Sequence, residues 1–154
     1  MSLGITPTIG PYLLPLVLPA VRKNYPDFRL RIIEEQLKVL VQKVKNGELD
    51  IIISALSYNV RGLLAFEFWE EDFYWLAHRD DILTKQKEIF SADFKQVRIM
   101  LLKEGYCLND HALAVCQLPS SVTDLLLAST SLNTLVKMVA GRVGTTLVPA
   151  MAFG

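Results

Sequence analysis

The chain contains two cysteines, Cys107 and Cys116, near the two ends of the segment GYCLNDHALAVC. In a regular helix, the rise of about 1.5 Å per residue would separate their Cα atoms by about 13.5 Å, on nearly opposite faces. A disulfide tolerates a Cα separation of about 7 Å at most. The two residues are therefore either unrelated buried thiols or a redox pair whose bonding requires the helix to unwind.

The composition of the chain argues against several classes of function. Its 154 residues are 51% hydrophobic, which is enough for one ordinary domain or two small lobes with packed cores. The 16 acidic residues balance the 16 basic ones, and no basic run is longer than Arg22-Lys23, so this chain alone is not expected to bind DNA. The two cysteines and two histidines offer no recognisable ligand spacing, so we expect no metal and no cofactor.

The apolar N-terminal stretch MSLGITPTIGPYLLPLVLPAV is not expected to enter a membrane. It lacks a charged segment ahead of the apolar run, and four prolines interrupt it, which argues against a signal peptide or a membrane span. We therefore expect a soluble cytoplasmic protein. That compartment keeps thiols reduced, so a disulfide formed there would be transient.

The first half of the chain alternates between strand and helix patterns. We predict a strand end over 4–8, followed by a helix over 12–23 with Pro11 at its start. A strand over 29–34, a helix from 35 that ends at Gly47, and a strand over 51–53 follow. Pro15 and Pro19 should kink the first helix or shorten its hydrogen-bond ladder. Strands that alternate with helices predict an α/β fold with a parallel sheet and right-handed crossovers.

The second half of the chain repeats this alternation after a less regular stretch. Residues 64–78 alternate apolar and polar side chains and then become aromatic, as in two successive strands or one long bent strand. We place a lobe boundary near 70–72. Beyond it we predict a strand over 97–102, a helix over 107–117, a strand over 122–127, a helix over 132–140 and a strand over 145–148.

Four motifs, taken together, resemble one known family. GELDIIISAL and TSLNTLVKMVAGRVGTTLVPA resemble the effector-binding domain of LysR-type transcriptional regulators, and PTIGPYLLPLVLP and GYCLNDHALAVC are similar to the hydrogen-peroxide sensors of that family, the OxyR group. The resemblance extends from Gly4 to Ala152. It implies a two-lobed α/β domain of the type 2 periplasmic-binding-protein kind, with an effector or reaction site in the cleft between the lobes.

The resemblance also implies a set of partners and missing parts. In the family, a DNA-binding winged helix-turn-helix precedes this domain, and the chain continues beyond it to return to the first lobe. We therefore expect a C-terminally truncated regulatory domain, with lobe I (1–70) incomplete and lobe II (71–154) carrying both cysteines. The family further implies a homodimer, a tetramer for the full-length regulator, DNA contact only through the absent domain, and contact of the full-length protein with RNA polymerase.

In the OxyR group, peroxide oxidises a first cysteine to a sulfenic acid, with which a second cysteine condenses. The resemblance makes Cys107 the peroxidatic residue and Cys116 the resolving one. Thr8 matches a threonine that reaches the bound peroxide, and Asp110 matches an aspartate of the local proton network. His111 lies four residues after Cys107, on the same face of a regular helix, and could supply an imidazole.

Three positions depart from the pattern that the resemblance implies. Tyr106 stands where the group has a histidine just before the peroxidatic cysteine, Leu37 where it has a second cleft threonine, and Leu126 where it has a histidine after the resolving cysteine. A tyrosine hydroxyl can donate a hydrogen bond but cannot carry a positive charge, and leucine offers no polar atom. These departures favour an alternative in which the cysteines are not used.

That alternative is a LysR effector domain that binds a small anionic metabolite. Thr130 and Ser131 precede the helix predicted from Leu132, a position that indicates an N-cap. In the wider family the matching hydroxyls also line the effector cleft, so Thr8, Thr130 and Ser131 are the candidate ligand-binding residues. A thiol peroxidase that relies on an external reductant is a third class, which would require repeated turnover.

Overall fold

The structure of the chain, a computed structural model, describes residues 1–55, 62–90, 92–103, 108, 110, 114 and 131–153. These residues divide into two compact units, Met1–Glu70 (unit 1) and Glu71–Phe153 (unit 2). The helices and strands, in chain order, are β1 (Ser2–Ile5), α1 (Gly10–Asn24), β2 (Arg31–Glu34), α2 (Leu37–Lys45), β3 (Ile51–Ile53), β4 (Phe73–Leu76), α3 (Leu132–Ala140) and β5 (Thr146–Pro149). Short 3₁₀ segments lie at Ile82–Lys85, Asp93–Gln96 and Ala150–Phe153.

Unit 1 contains a parallel sheet with the strand order β2-β1-β3. The central strand β1 pairs with β2 from Ser2 to Ile5, and with β3 from Leu3 to Ile5. Leu3 and Ile5 are both buried, as expected for a strand flanked on both sides and covered on its faces. The parallel sheet predicted from the strand and helix alternation is confirmed for this unit.

The two helices of unit 1 follow the sequence pattern closely. Helix α1 begins one residue before Pro11 and continues through both internal prolines to Asn24. Helix α2 buries Leu37 and Leu40, and the chain leaves it through Gly47, whose φ of 75° lies in the left-handed region that glycine adopts readily. No helix in the described part of the chain is both long and apolar enough to cross a membrane.

Unit 2 contains an antiparallel strand pair, in contrast to the parallel sheet of unit 1. Strand β4 pairs with β5 from Phe73 opposite Pro149 to Leu76 opposite Thr146. A parallel relation occurs at the isolated bridge between Ile99 and Thr145. Within the described residues, the strand predicted over 97–102 is represented by the isolated bridge residues Ile99 and Leu102 rather than by a ladder.

The prediction of strand structure over 64–78 is wrong outside β4. Residues 64–72 form neither a helix nor a strand, and Leu64 is 98% exposed. A strand requires a hydrogen-bonded neighbour as well as an alternating pattern. Within the part of the chain that the structure describes, no strand forms a ladder with 64–72, although the Ala150 N–H donates to the Asp72 carbonyl over 2.8 Å.

The last helix and strand of unit 2 match the prediction. Ser131 is the N-cap of α3, where its hydroxyl accepts a hydrogen bond of 3.4 Å from the Thr134 N–H. The predicted helix over 107–117 lies outside the described residues except for Leu108, Asp110 and Ala114, which are helical. The strand predicted over 122–127 lies outside them entirely.

The packing of β1 against α2 gives a test of the unit 1 core. A Cβ on Gly4 would lie 2.8 Å from Leu40 Cδ2 and 2.9 Å from Leu49 Cδ1, and both leucines are buried. We expect Gly4→Ala to lower the free energy of unfolding by about 1–3 kcal/mol through overpacking, as measured by urea denaturation. Gly10→Ala is the comparison with a smaller expected loss, because the nearest atom there belongs to the exposed side chain of Glu34 and the buried Ile5 Cγ2 lies farther away, at 3.3 Å. Equal losses of unfolding free energy in the two variants would contradict this prediction.

Candidate functional site

Thr8 lies in the turn that joins β1 to α1, at the carboxyl end of the central strand. Ligands of open α/β sheets bind outside the carboxyl ends of the strands. The Thr8 side chain is well shielded, since only 7% of the residue is exposed, and Thr6 in the same connection exposes 5%. The structure thus places the predicted site residue Thr8 where a ligand of such a sheet would bind.

The backbone donors at the start of α1 are already used within the turn. The Thr6 carbonyl accepts hydrogen bonds from the N–H groups of Ile9 (3.0 Å) and Gly10 (2.9 Å). Pro11 has no N–H, and the Tyr12 N–H donates to the Ile9 carbonyl over 3.1 Å. The turn therefore offers a ligand side-chain hydroxyls rather than a cluster of free backbone N–H groups.

A second buried hydroxyl belongs to Thr6, two residues before Thr8. Thr6 Oγ1 has no hydrogen-bond partner among the residues that the structure describes. A buried hydroxyl without a partner costs about 1–3 kcal/mol, so its presence needs an explanation. A bound water or a small ligand that completes its hydrogen bonding would provide one.

A carboxylate, that of Glu34, lies against the start of α1. Glu34 is the last residue of β2, next to β1 in the sheet, and a Cβ on Gly10 would lie only 2.8 Å from Glu34 Oε2. The absence of a side chain at Gly10 lets the carboxylate approach the positive end of the helix dipole. Sequence reasoning did not single out Glu34, although an acidic residue at the carboxyl end of a strand beside β1 was a usable signal.

The first turn of α1 also carries a phenol. Burial raises the pKa of the Tyr12 side chain above its usual value, because desolvation disfavours the phenolate. The group therefore remains neutral and protonated at physiological pH. With Thr6 and Thr8, it adds to a set of uncharged hydroxyls at this end of unit 1.

The other candidate residues lie elsewhere in the chain. Leu37, which stands where the resemblance implies a second cleft threonine, is a buried residue of the α2 core face. In unit 2, Asp110 is exposed, and the Ser131 hydroxyl caps α3. The remaining predicted site residues lie outside the described residues; they are Cys107, Cys116, His111 and Thr130.

Ionisable side chains also cluster on the surface of unit 2. Asp80 contacts Arg142, and the Oδ2 atom of Asp80 lies 3.5 Å from His78 Nδ1. Arg142 lies in the turn between α3 and β5 and has a φ of 61°, a backbone conformation that is uncommon for a residue other than glycine. Within the described ranges, no group of three or more His, Cys, Asp or Glu side chains is arranged to hold a metal ion.

Comparisons with known proteins identify relatives of the whole chain. A family model described as the LysR substrate binding domain matches residues 1–154. The chain is 36% identical over 152 residues to the HTH-type transcriptional regulator EstR of Acinetobacter baylyi. It is 34% identical over 153 residues to a probable hydrogen peroxide-inducible genes activator of Streptomyces viridosporus, and 30% identical over 152 residues to the transcriptional dual regulator OxyR of Escherichia coli K12. These alignments cover 99% of this chain and 49% or 50% of each relative, so the chain spans about half the length of the curated relatives it matches.

The chain is also similar to solved structures of OxyR proteins. A hydrogen-peroxide-bound cysteine-to-serine mutant of Corynebacterium glutamicum OxyR matches with a TM-score of 0.89 and 29% identity, over 97% of this chain and 48% of that one. The reduced OxyR regulatory domain of Pseudomonas aeruginosa matches with a TM-score of 0.86 and 33% identity, over 99% of this chain and 73% of that one. The predicted α/β fold of LysR regulatory domains is thereby confirmed.

The unpartnered hydroxyl of Thr6 leads to a prediction about stability. Thr6→Val should raise the free energy of unfolding of the ligand-free chain by about 1 kcal/mol, because it removes a buried group that lacks a hydrogen bond. Thr146→Val is the control, since Thr146 is equally buried but its hydroxyl donates to the Met100 carbonyl over 2.8 Å. Denaturation should show that Thr146→Val is less stable than the wild-type chain. A loss of stability in both variants would mean that the Thr6 hydroxyl is satisfied.

Proposed function

Because the chain belongs to the LysR substrate-binding domain family, we propose that it is the regulatory part of a transcriptional regulator that senses hydrogen peroxide. The signal is the reversible formation of a disulfide between Cys107 and Cys116. The observation that carries the proposal is the likeness, over 97% of the chain, to an OxyR structure solved with hydrogen peroxide bound. Relatives named as hydrogen peroxide-inducible activators support it.

The proposed chemistry is a two-step oxidation of thiols. The Cys107 thiolate attacks one oxygen of the peroxide, the O–O bond breaks, and the departing hydroxide takes a proton to become water. Cys107 is then a sulfenic acid. The Cys116 thiolate attacks its sulfur, the S–S bond forms, and a second water leaves. Two thiols and one peroxide thus become one disulfide and two waters, and a thiol reductant reverses the change.

Other side chains are proposed to assist this reaction. The shielded hydroxyl of Thr8 is suited to hold peroxide by a hydrogen bond, because a neutral hydroxyl can both donate to it and accept from it. Asp110 would hydrogen bond or deliver a proton, since its charge opposes a nearby thiolate. His111 would provide the imidazole that Tyr106 cannot. We expect the reaction to be slower than with a histidine at position 106.

The remainder of the proposal concerns the whole regulator. The OxyR relative of E. coli is described as a DNA-binding transcriptional dual regulator. We propose that this chain, within a longer cytoplasmic protein, acts on DNA through a separate winged helix-turn-helix. Disulfide formation would alter a homodimer or tetramer and its contact with RNA polymerase. In this role the domain is a sensor and not an enzyme.

A second candidate function is a small-molecule effector domain in which the cysteines are not used. Two observations favour it: Leu37 is buried and apolar at a position that is polar in the OxyR group, and EstR is among the relatives. Thermal shifts with a panel of metabolites distinguish the two functions. A ligand that raises Tm and leaves both thiols free to react would support the effector domain.

The peroxide proposal predicts distinct products in the two cysteine variants. After a small excess of peroxide, the reduced chain should lose two hydrogens by intact mass and lose both free thiols. Cys116→Ser should stop at a sulfenic acid that dimedone traps, whereas Cys107→Ser should remain unmodified. An unmodified wild-type chain, or trapping in Cys107→Ser but not in Cys116→Ser, would contradict the proposal.

The role of Thr8 can be measured separately through the oxidation rate. Thr8→Val should slow the disappearance of the Cys107 thiol by about tenfold, the effect of one lost hydrogen bond in the transition state. Thr145→Val is a matched control, because Thr145 is a buried threonine of unit 2. Equal rates for Thr8→Val and the wild-type chain would remove Thr8 from the site.

A further inference from the structure

The Thr6 side chain lies on the face of the unit 1 sheet that α2 covers. Thr6 continues β1 by one residue, because its N–H donates to the Ile53 carbonyl over 3.3 Å and because Pro7 favours an extended residue before it. Successive side chains of a strand point to opposite faces. A Cβ on Gly4, two residues earlier, would lie 2.8 Å from Leu40 Cδ2 of α2. Thr6 therefore points to the same side as Gly4.

The start of α2 lies at the same edge of the sheet as Thr6. The helix runs from the carboxyl edge, where β2 ends, back to the amino edge, where β3 begins. Leu37 is nearer to the carboxyl edge than Leu40 by about 4.5 Å, and Thr6 is nearer to it than Gly4 by about 6.6 Å. Leu37 is thus the residue of the α2 core face at the level of Thr6. Both residues are buried, with 8% of Leu37 and 5% of Thr6 exposed, and the leucine side chain has no polar atom to offer the hydroxyl.

The backbone at the start of α2 carries hydrogen-bond donors. The first N–H groups of a helix have no acceptor within the helix, and no side chain caps α2. The Val39 and Leu40 N–H groups donate to the Gln36 carbonyl over 3.0 and 3.1 Å. Within the described ranges, the N–H groups of Leu37 and Lys38 meet no acceptor. A ligand at this end of the helix would therefore find backbone donors next to a buried hydroxyl.

The hydroxyl of Thr6 is suited to a small polar ligand. Thr6 Oγ1 has no hydrogen-bond partner among the residues that the structure describes. A hydroxyl donates one hydrogen bond and accepts others, whereas a backbone N–H only donates. A peroxide also donates and accepts, so it can pair with both kinds of group. A buried hydroxyl without a partner lowers stability, and proteins retain such destabilising groups where function needs them.

We propose that Thr6 is a second threonine that binds the peroxide, in addition to Thr8, and that it acts together with the N–H groups at the start of α2. The inference rests on the proposed function for the identity of the ligand. It adds a binding residue that the sequence motifs did not single out. Because the same hydroxyl lowers the stability of the ligand-free chain, its removal should have opposite effects on stability and on the reaction.

The test measures two quantities in the reduced chain and its variants. They are the rate constant for loss of the Cys107 thiol with hydrogen peroxide and the free energy of unfolding. Thr6→Val keeps the shape of the side chain and removes the hydroxyl. It should react about tenfold more slowly, the effect of one lost hydrogen bond, while its free energy of unfolding rises. Thr6→Ser retains a hydroxyl and should react faster than Thr6→Val.

Thr146→Val is the control for a structural effect, because Thr146 is buried in unit 2 and its hydroxyl donates to the Met100 carbonyl. This variant should be less stable and should react at the wild-type rate. A Thr6 hydroxyl that holds only a water would affect stability alone. Equal rates for Thr6→Val and the wild-type chain, or a Thr6→Ser variant as slow as Thr6→Val, overturn the inference. Thr6→Ala repeats the removal of the hydroxyl in case Thr6→Val perturbs the fold.

A binding measurement separates this inference from the proposed thiol chemistry. The nitrogen-15-labelled Cys107→Ser variant is titrated with hydrogen peroxide, and the amide signals of Thr6, Leu37 and Lys38 are followed. These signals should shift, and the apparent affinity should fall by about tenfold when Thr6→Val is added. If the wild-type thiols do not react but the shifts depend on the Thr6 hydroxyl, the proposed function fails and the inference stands. Shifts that are the same with and without this hydroxyl overturn the inference, whatever the thiols do.

Discussion

The parallel pairing of β1 between β2 and β3 is the constraint on which the rest of unit 1 depends. The register sets Ile5 opposite Glu34 on one side and opposite Ile53 on the other. The Thr6 N–H extends the ladder by donating to the Ile53 carbonyl over 3.3 Å. Three strand ends therefore meet at one level, and the β1–α1 turn has to cross that edge. The position of Thr8 follows from this register rather than from its own local sequence.

That edge combines the buried hydroxyls of Thr6 and Thr8 with the Glu34 carboxylate, which lies against the start of α1. The Thr6 hydroxyl is left without a partner among the described residues, an arrangement that lowers stability unless something binds there. A peroxide, the oxidant of the proposed function, is uncharged and both donates and accepts hydrogen bonds, as these hydroxyls do.

The sequence predicted those parts of the structure that depend on local pattern. Helix α3 and its N-cap at Ser131, the helices of unit 1 and the apolar strand β3 all follow from periodicity and end signals. The antiparallel pairing of β4 with β5 and the lack of strand structure over 64–72 did not follow, because a strand is defined by a partner that is distant in sequence. Thr8 was found through its motif, whereas Glu34 was missed because its proximity to Gly10 exists only once β1 and β2 are paired.

The central claim is that peroxide joins Cys107 to Cys116 reversibly within this regulatory domain. The most direct test is the carbon-13 chemical shift of the Cβ atom of each cysteine, measured in one sample when reduced, after peroxide, and after a thiol reductant. Both signals should move together to the range of disulfides and return on reduction. Signals that stay in the thiol range, or a change at one cysteine that the reductant does not reverse, would contradict it.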